Sequence, residues 1–313
     1  MTATVAHGEG PPGPVPDAAL EPGPRNPVAL VAHRRLAEQV AELVRRDGRI
    51  RRGRDGDVHQ ARVACRKLRS ALATYRPLLE PAVTEPLREE LRWLGTALGS
   101  ARDSQVVRDR LTALVGDEDD VVGPVQRRIE ASYDALRAVA VAEVATTLES
   151  ARHRDLLVAL ERLVVVPPWT DLAGRDARDV VPDLVREDWR RLRRRVEALD
   201  GAEDRDRAFH EVRKAAKRLR YAAESLEPVW GRDAKRLGKA ATRITALLGE
   251  RQDTVMSRAD LVALSADAVA AGESGFTYAR LNAREQGRAD ELDLAFDDAW
   301  RDLRRAMVDA RFR

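Results

Sequence analysis

A histidine followed by cationic residues at helical spacing occurs twice in this chain. The two copies read His59-x-x-Arg62-x-x-x-Arg66-Lys67-Leu68-Arg69 and His210-x-x-Arg213-x-x-x-Lys217-Arg218-Leu219-Arg220. Guanidinium groups bind oxyanions through paired hydrogen bonds, and histidine donates to phosphate in its neutral or its protonated form. On a helix, cations three or four residues apart are separated by about 5–6 Å along the axis. That spacing suits a linear chain of phosphates better than one small anion.

Each copy places its cations on one face of a helix. At 100° per residue, the histidine and three basic residues fall within an arc of about 80°, and apolar residues occupy another arc. We call these faces the first stripe, His59, Arg62, Arg66 and Arg69, and the second stripe, His210, Arg213, Lys217 and Arg220. The pattern predicts two amphipathic helices, each with a core face and a cationic face.

The similarity of the two segments extends beyond the stripes. Each histidine is followed after 18 residues by a proline, and the two copies lie 151 residues apart. A Leu-Gly pair with an aspartate, Asp103 or Asp253, recurs further along, and an Arg-Arg-Leu triplet recurs upstream. We interpret the chain as an internal duplication of an all-helical unit. The Leu-Gly pairs permit close helix packing, and the aspartates either hold a binding-site arginine or are ordinary surface carboxylates.

Helical periodicity without alternating segments predicts an all-α fold. Residues 1–27 hold seven of the 15 prolines, and this composition predicts a disordered tail. Breaker residues near the midpoint predict a linker over 167–182. We therefore expect two helical bundles, an N-terminal one over 28–166 and a C-terminal one over 183–313.

Positive charge is concentrated in the two motifs. The 313 residues include 55 Lys or Arg and 52 Asp or Glu, so the formal net charge is only +3. The windows 59–69 and 210–220 each carry +4, and the rest of the chain therefore carries −5. This balance excludes a histone-like basic tail protein and fits an anion site on a mildly acidic surface.

The single cysteine and the lack of long apolar runs restrict the class of protein. Cys65 excludes an internal disulfide framework, agrees with a reducing compartment, and is expected as a small core residue. No uncharged apolar run approaches the ~18 residues of a membrane span, and the N-terminus lacks the order of a signal peptide. We therefore expect a cytoplasmic protein without membrane association.

No catalytic motif accompanies the stripes. The sequence has no Walker loop and no His-Asp dipeptide with flanking metal ligands. Each copy offers one motif histidine and one motif aspartate, too few for a metal cage built by the protein alone. We expect no catalytic residue, no metal and no cofactor.

The doubled motif, with a Leu-Gly-x-x-x-Asp helix after each copy, resembles the CHAD family of histidine-bearing α-helical domains over about residues 28–313. The resemblance implies two bundles related by pseudo-two-fold symmetry, lined by basic residues, that bind inorganic polyphosphate and associate with polyphosphate granules. We expect the two bundles to form a basic central groove or pore. The ligand-facing residues carried over by position are His59, Arg62, Arg66, Lys67, Arg69, His210, Arg213, Lys217, Arg218 and Arg220. Further candidates are Lys214, Arg34, Arg102, Arg190 and Arg194. The Glu-x-Glu-x-Lys signature of a triphosphate tunnel enzyme is absent, which predicts a stand-alone binding module.

Other interpretations of the stripes stay open. Arginines every three or four residues often form a solvated face that pairs with acids. A nucleic-acid-binding protein shares the electrostatics, but only Tyr75 and Tyr221 lie near the stripes and neither is on the basic arc, so nucleic acid is not the expected partner. A phosphohydrolase that acts on polyphosphate, and a scaffold that recruits polyphosphate-granule proteins, are the remaining alternatives.

Overall fold

The computed structural model describes residues 21–52, 54 and 56–310, without the side chains of residues 100–103. This part of the chain forms nine α-helices and contains no strand; two isolated β-bridges, Pro27 with Asp176 and Leu79 with Trp169, join its loops. The helices are α1 (Val28–Ile50), α2 (Asp57–Thr74), α3 (Pro81–Ala97), α4 (Ser100–Gly116), α5 (Val125–Glu149), α6 (Ala151–Val165), α7 (Ala177–Glu197), α8 (Arg205–Ala270) and α9 (Phe276–Asp309). The all-α prediction is confirmed.

A break at Gly231 divides the long helix α8. Its φ of 46° is positive, a conformation that glycine adopts without the steric cost of a Cβ. Pro228 lies three residues earlier and has no N–H for the helical hydrogen-bond ladder. We refer to residues 205–230 as α8a and to residues 232–270 as α8b. The first stripe lies on α2, and the second lies on α8a.

Two apolar cores hold the helices together. The main core includes Leu68 on α2, Leu219 on α8a and Leu303 on α9, all without exposed surface. The distal core joins α4 and α5 to α8b and α9, with Leu111 and Leu261 at its centre. Each core contains residues from both predicted halves of the sequence. The predicted linker over 167–182 therefore lies between helices that share both cores.

The predicted linker and tail are shorter than the sequence indicates. Helix α7 begins at Ala177 and includes Pro182 at its sixth position, where the proline removes one backbone hydrogen bond without ending the helix. Residues 21–27 lie against the start of α7, where the carbonyls of Pro24 and Asn26 accept hydrogen bonds from the N–H groups of residues 178 and 177. Residues 1–20, the rest of the predicted tail, lie outside the described residues.

The packing of α2 and α8a leaves the cations of both helices away from the core. Cys65, Leu68 and Leu72 on α2 are fully buried, as are Val212 and Leu219 on α8a. Burying one such leucine side chain contributes about 1.5–3 kcal/mol to folding. The apolar faces thus fix the rotation of both helices and, with it, the direction of the stripes. No helix among the described residues is long and apolar enough to cross a membrane.

Candidate functional site

The two stripes meet where α2 packs against α8a. Lys217 on α8a is largely buried, and its pKa is lowered to about 7, first by burial and then by the positive charges of its neighbours. Those neighbours are Arg213 and Arg220 on its own helix and Arg62 and Arg66 on α2. Cations from residues 151 positions apart thus lie in one group. We call this group the convergent cluster; it consists of Arg62, Arg66, Arg69, Arg213, Lys217 and Arg220.

The convergent cluster is poor in acidic partners. Among the residues that the structure describes, Arg66, Arg69 and Lys217 have no carboxylate within 4 Å. In the described part of the chain, the Nε atoms of Arg66, Arg69 and Arg213 are buried and have no hydrogen-bond partner, whereas Nε of Arg220 lies 3.4 Å from Oε1 of Glu224. A buried donor without a partner costs about 1–3 kcal/mol, so an anion that accepted these hydrogen bonds would be bound strongly.

In each copy, an arginine of the stripe lies close to the backbone at a glycine, Arg62 at Gly99 and Arg213 at Gly249. A Cβ added at Gly99 would lie 3.1 Å from Cζ of Arg62 and 3.0 Å from the carbonyl oxygen of Thr96. A Cβ added at Gly249 would lie 3.4 Å from Nη2 of Arg213. The sequence analysis assigned these Leu-Gly pairs to helix packing. In the structure the close approach is made by a guanidinium group, at the same motif position in both copies.

An aspartate acts on one of these arginines. Burial lowers the pKa of Arg213, and the carboxylate of Asp253 opposes this effect by raising it. This electrostatic effect fits the hypothesis that the motif aspartate holds a binding-site arginine. The side chains of Arg102 and Asp103, the corresponding residues of the first copy, lie outside the described residues.

The two motif histidines lie at the N-terminal ends of the stripes. Nδ1 of the half-buried His210 is 2.9 Å from Oε1 of Gln252, a residue that matches Arg102 in the repeat. His59 is exposed and lines a cleft of about 630 Å³ between α2 and α5, together with Arg51 and Arg137. Neither histidine is enclosed by the convergent cluster.

Lys67 and Arg218 each contact a carboxylate outside the cationic arcs, and Lys67 shares the carboxylate of Glu224 with Arg220 of the convergent cluster. Lys67 lies 3.7 Å from Glu224. Arg218 forms an ion pair with the buried Asp188 and donates a 2.7 Å hydrogen bond to the carbonyl of Ala73. Each of these cations follows a stripe residue directly, so it points about 100° away from the stripe. The resemblance grouped them with the ligand-facing set, whereas their contacts are with acids or the backbone of other helices.

The remaining predicted cations form exposed ion pairs. Lys214 pairs with Glu211 at 2.6 Å, and Arg34 pairs with Glu21 and Glu38 at 3.2 Å each. Arg190 and Arg194 share Glu187, at 3.6 and 3.5 Å. Exposed pairs of this kind contribute about 0–1 kcal/mol to stability. None of these four residues joins the convergent cluster.

A pocket of about 280 Å³ opens beside the first stripe, between α2 and α3. Its walls include Arg62, Arg66 and Arg69, and α3 adds Arg92. Arg92 and its neighbour Arg88 are not among the predicted site residues; they are four residues apart on α3 and have no match in the second copy. Their spacing on one face of α3 was the available signal.

The chemistry available at this pocket is anion binding. Cys65 also lines it, but burial raises the pKa of its thiol to about 12, so the thiolate is not formed near neutral pH. No group of three or more His, Cys, Asp or Glu side chains suited to a metal ion occurs within the described residues. The guanidinium groups supply positive charge and directed hydrogen bonds.

Two solved structures have a similar fold. PptA from Streptomyces chartreusis matches with a TM-score of 0.75 at 20% sequence identity, over 88% of this chain and 99% of that one. The crystal structure of the CHAD domain from the plant Ricinus communis matches with a TM-score of 0.69 at 23% identity, over 96% of this chain and 98% of that one. At these identities the similarity concerns the fold alone.

Sequence relatives cover nearly the whole chain. The uncharacterized proteins MT2285 and Rv2226 of Mycobacterium tuberculosis, strains CDC 1551 / Oshkosh and ATCC 25618 / H37Rv, are each 33% identical over 302 residues, or 93% of this chain. The chain spans only 56% of the length of each relative. The model of the CHAD domain matches residues 34–262, which include both stripes and both glycines that contact arginine. With most of its length matched in this way, the chain belongs to the CHAD domain family.

Proposed function

We propose that the protein binds inorganic polyphosphate without hydrolysing it, through the convergent cluster. The observation that carries this proposal is that six cations from two distant segments lie together while three of them have no carboxylate within 4 Å in the described part of the chain. Such an arrangement leaves positive charge and buried N–H donors for a ligand that brings several negative charges. The family to which the chain belongs supports polyphosphate as that ligand.

The shape of the cluster favours a linear polyanion over a single phosphate. Arg62, Arg66 and Arg69 follow one another along α2, and Arg213, Lys217 and Arg220 do so along α8a. Successive cations on each helix are about 5–6 Å apart, so several phosphates in a row contact several cations at once. Each charge-assisted contact contributes about 1.5–3 kcal/mol, and released counterions add to the binding free energy.

The absence of hydrolysis in this proposal follows from the residue types. Arginine and protonated lysine stabilise phosphate charge but do not remove a proton from water at neutral pH. Lys217, with a pKa of about 7, becomes protonated and cationic when phosphates bind beside it. With the anion bound, no group of the cluster is therefore available to activate water, which favours binding without hydrolysis.

Nucleic acid is disfavoured as the ligand by the positions of the aromatic residues. Tyr75 is 1% exposed, and Tyr221, which lies under the guanidinium of Arg220, is 5% exposed. Binding of single strands relies on aromatic faces on which bases stack, at about 1–3 kcal/mol per base. Neither tyrosine offers such a face beside the stripes.

Calorimetric titration tests this proposal. The protein is titrated with polyphosphate and with single-stranded RNA of equal total charge at two salt concentrations, while released phosphate is monitored. We expect tight, salt-dependent binding of polyphosphate, weaker binding of RNA and no phosphate release. Preference for RNA, or release of phosphate, would overturn the proposal.

A pair of quadruple variants assigns the binding to the cluster. The site variant combines Arg62→Ala, Arg66→Ala, Arg213→Ala and Lys217→Ala. The control removes four exposed arginines that pair with acids, by Arg186→Ala, Arg193→Ala, Arg195→Ala and Arg301→Ala. We expect the site variant to lose at least about 100-fold in affinity and the control less than about 3-fold. Equal losses would show that only net charge matters.

The proposal extends to the location of the protein in the cell. A polyphosphate-binding protein is expected to concentrate on cytoplasmic polyphosphate granules and to meet granule proteins there. A fluorescent fusion of the protein should co-localise with stained granules, and the site quadruple variant should be spread evenly. Co-localisation of the site variant would show that a protein partner, and not the ligand, recruits it.

A further inference from the structure

We propose that a second pocket, at the junction of α3, α7 and α8a, binds further phosphate groups of the same polyphosphate chain, and that the two halves of the repeat differ in this respect. This inference rests on the proposed function and extends the convergent cluster to a second site. The pocket has a volume of about 740 Å³. Six arginines contribute to its walls: Arg76, Arg88, Arg175, Arg190, Arg191 and Arg218.

The arginines of this pocket outnumber its acids. Three carboxylates, those of Asp179, Asp183 and Glu187, line one side. Behind the walls, Glu85 pairs with Arg76 and Arg88, and the buried Asp188 pairs with Arg218. Six arginines and five carboxylates leave a formal charge of +1. Within the described chain, Arg175 and Arg191 have no carboxylate within 4 Å. A pocket that is open to solvent and holds unpaired guanidinium groups suits an anion with several charges.

The corresponding place in the other half of the repeat is closed. There Arg34 and Arg35 take the places of Arg190 and Arg191, but the pocket has a volume of only about 20 Å³. Glu224 closes it: its carboxylate lies 3.4 Å from Arg35, 3.7 Å from Lys67 and 3.4 Å from Arg220.

Two substitutions within the repeat accompany the difference: one is at the place of Glu224, and the other puts the buried Asp188 where the first copy has Ala32. The residue 151 positions before Glu224 is Ala73, which has no charge to offer. Arg218, the match of Lys67, turns to the carbonyl of Ala73 and to Asp188. Arg191, the match of Arg35, is exposed where Arg35 is buried. The missing carboxylate therefore leaves an open, positively charged pocket in one half and a neutralised contact in the other.

Arg88 connects this pocket with the convergent cluster. Burial lowers the pKa of Arg69, and the charges of Arg88 and Arg92 lower it further. The pKa of Arg218 is lowered by burial and, in part, by Arg191 and Arg88. Arg88 therefore lies near the end of the first stripe and also near the second pocket, which it lines. Its Nε atom is buried and has no hydrogen-bond partner. Its Nη1 atom pairs with Glu85 at 2.6 Å, so the buried Nε is the part of this guanidinium that is left for a polyanion running from the first stripe past Arg69.

A comparison of chain lengths tests the inference. Wild type, Arg191→Ala and Arg193→Ala are titrated with tripolyphosphate and with chains of about 15 and 100 phosphates. A short ligand should occupy the convergent cluster alone, and a long one should reach both sites. We expect Arg191→Ala to leave tripolyphosphate affinity unchanged and to lower long-chain affinity about tenfold, the effect of one charge-assisted contact. Arg193, on the same helix and paired with Glu197 at 3.3 Å, is the matched control and should change neither.

A second variant transfers the closing carboxylate to the open half. Ala73→Glu places an acid where it can pair with Arg191 and Arg218, as Glu224 does with Arg35 and Lys67. We expect the same selective loss of long-chain affinity, with a far-ultraviolet circular dichroism spectrum like that of wild type. If Arg191→Ala leaves long-chain affinity unchanged, or lowers affinity for both ligands equally, the second pocket does not extend the site. If wild type binds no chain at all, the proposed function itself fails.

Discussion

The convergent cluster and the arginine row of α7 contain the same residue types in opposite surroundings. On α7, Arg186, Arg190, Arg193 and Arg194 each lie within 4 Å of an acid on the same helix. In the cluster, two basic helices face each other. The neighbouring charges that act on the pKa of Lys217 are all cations. The row is a solvated face, while in the cluster Arg66, Arg69 and Lys217 have no carboxylate within 4 Å in the described part of the chain.

This comparison teaches that the number of arginines in a segment does not identify an anion site. Helix α7 is rich in arginine. Its glutamates and aspartates nevertheless lie three or four residues from its arginines and pair with them. Helices α2 and α8a carry almost no acid on their basic arcs, and their packing brings cation to cation. Cations are available to bind an anionic ligand where acidic side chains do not pair with them.

The largest expected effect on polyphosphate affinity comes from placing an acid within the convergent cluster, where it pairs with the cations. Arg66→Glu places a carboxylate beside Arg62, Arg213 and Lys217, where it can neutralise them and repel phosphate. We expect a loss of polyphosphate affinity of about 100-fold or more, since one contact is lost and a repulsion is introduced. Isothermal titration calorimetry measures it. Arg193→Glu on α7 carries the same charge change and should cost less than about threefold; an equal loss would erase the distinction between the two regions.

A smaller effect is expected from the glycines that hold the stripe arginines. The Cβ of Gly99→Ala would lie 3.1 Å from Cζ of Arg62 and must displace the guanidinium, whereas at Gly249→Ala the nearest atom of Arg213 is 3.4 Å away. We expect about a tenfold loss of affinity for the first variant and about a twofold loss for the second. Gly116→Ala is the control, because a Cβ there meets nothing within 4 Å. Melting temperatures measured in parallel separate lost binding from lost stability.

If the three glycine variants bind polyphosphate equally well, the glycines serve helix packing alone. If Gly99→Ala lowers the melting temperature without changing affinity, the contact with Arg62 is structural. Only a loss of affinity in a stable protein supports the positioning of Arg62 by Gly99.

The smallest expected effect is a pH dependence that the α7 row should not share. The pKa of Lys217 is lowered to about 7 by burial and by neighbouring arginines, and bound phosphates should raise it. The protein therefore takes up protons on binding near neutral pH, and affinity falls by a few-fold between about pH 6 and pH 8 as free Lys217 loses its charge. Titration in buffers of different ionisation enthalpy measures the proton uptake. Lys217→Arg, which stays charged, should remove it; persistence of the uptake in that variant would assign it to another group.

Lys217 also links pH to the stability of the free protein. Because its native pKa lies below the value of 10.5 for an unperturbed lysine, the unfolded chain binds more protons between about pH 7 and 10.5. The stability of the native state therefore rises with pH across this window, and the cost of burying the charged ammonium is fully present below pH 7. The same buried positive charge that lowers the stability of the free protein attracts anions.

Much of the fold could be predicted from local pattern. The apolar residues at three- and four-residue spacing on α2 and α8a form the core faces that the periodicity indicates, since a helix sets the direction of every side chain once its period is known. The extent of the linker was predicted less well, because Pro182 lies inside α7 and residues 21–27 pack against that helix. A proline shows that a hydrogen bond is missing but does not show whether the helix has already begun.

The candidate site was predicted in part. The arcs of the stripes identify the cations that converge, while the positional resemblance added Lys67 and Arg218, which lie off those arcs and pair with Glu224 and Asp188. Arg88 and Arg92 have no counterpart in the repeat and were missed for that reason. Their role depends on α3 lying beside α2, and no local pattern in either helix encodes that contact.

The sequence by itself determined the helices, the two basic arcs and their almost complete lack of acids, because periodicity and composition are properties of neighbouring residues. Only the tertiary structure decided that the arcs face each other, that Glu224 neutralises one half of the repeat, and that Ala73 leaves the other half open. The physical reason is that Coulomb interactions depend on distances in space. Residues 150 positions apart in the chain acquire those distances only when the apolar cores bring their helices together.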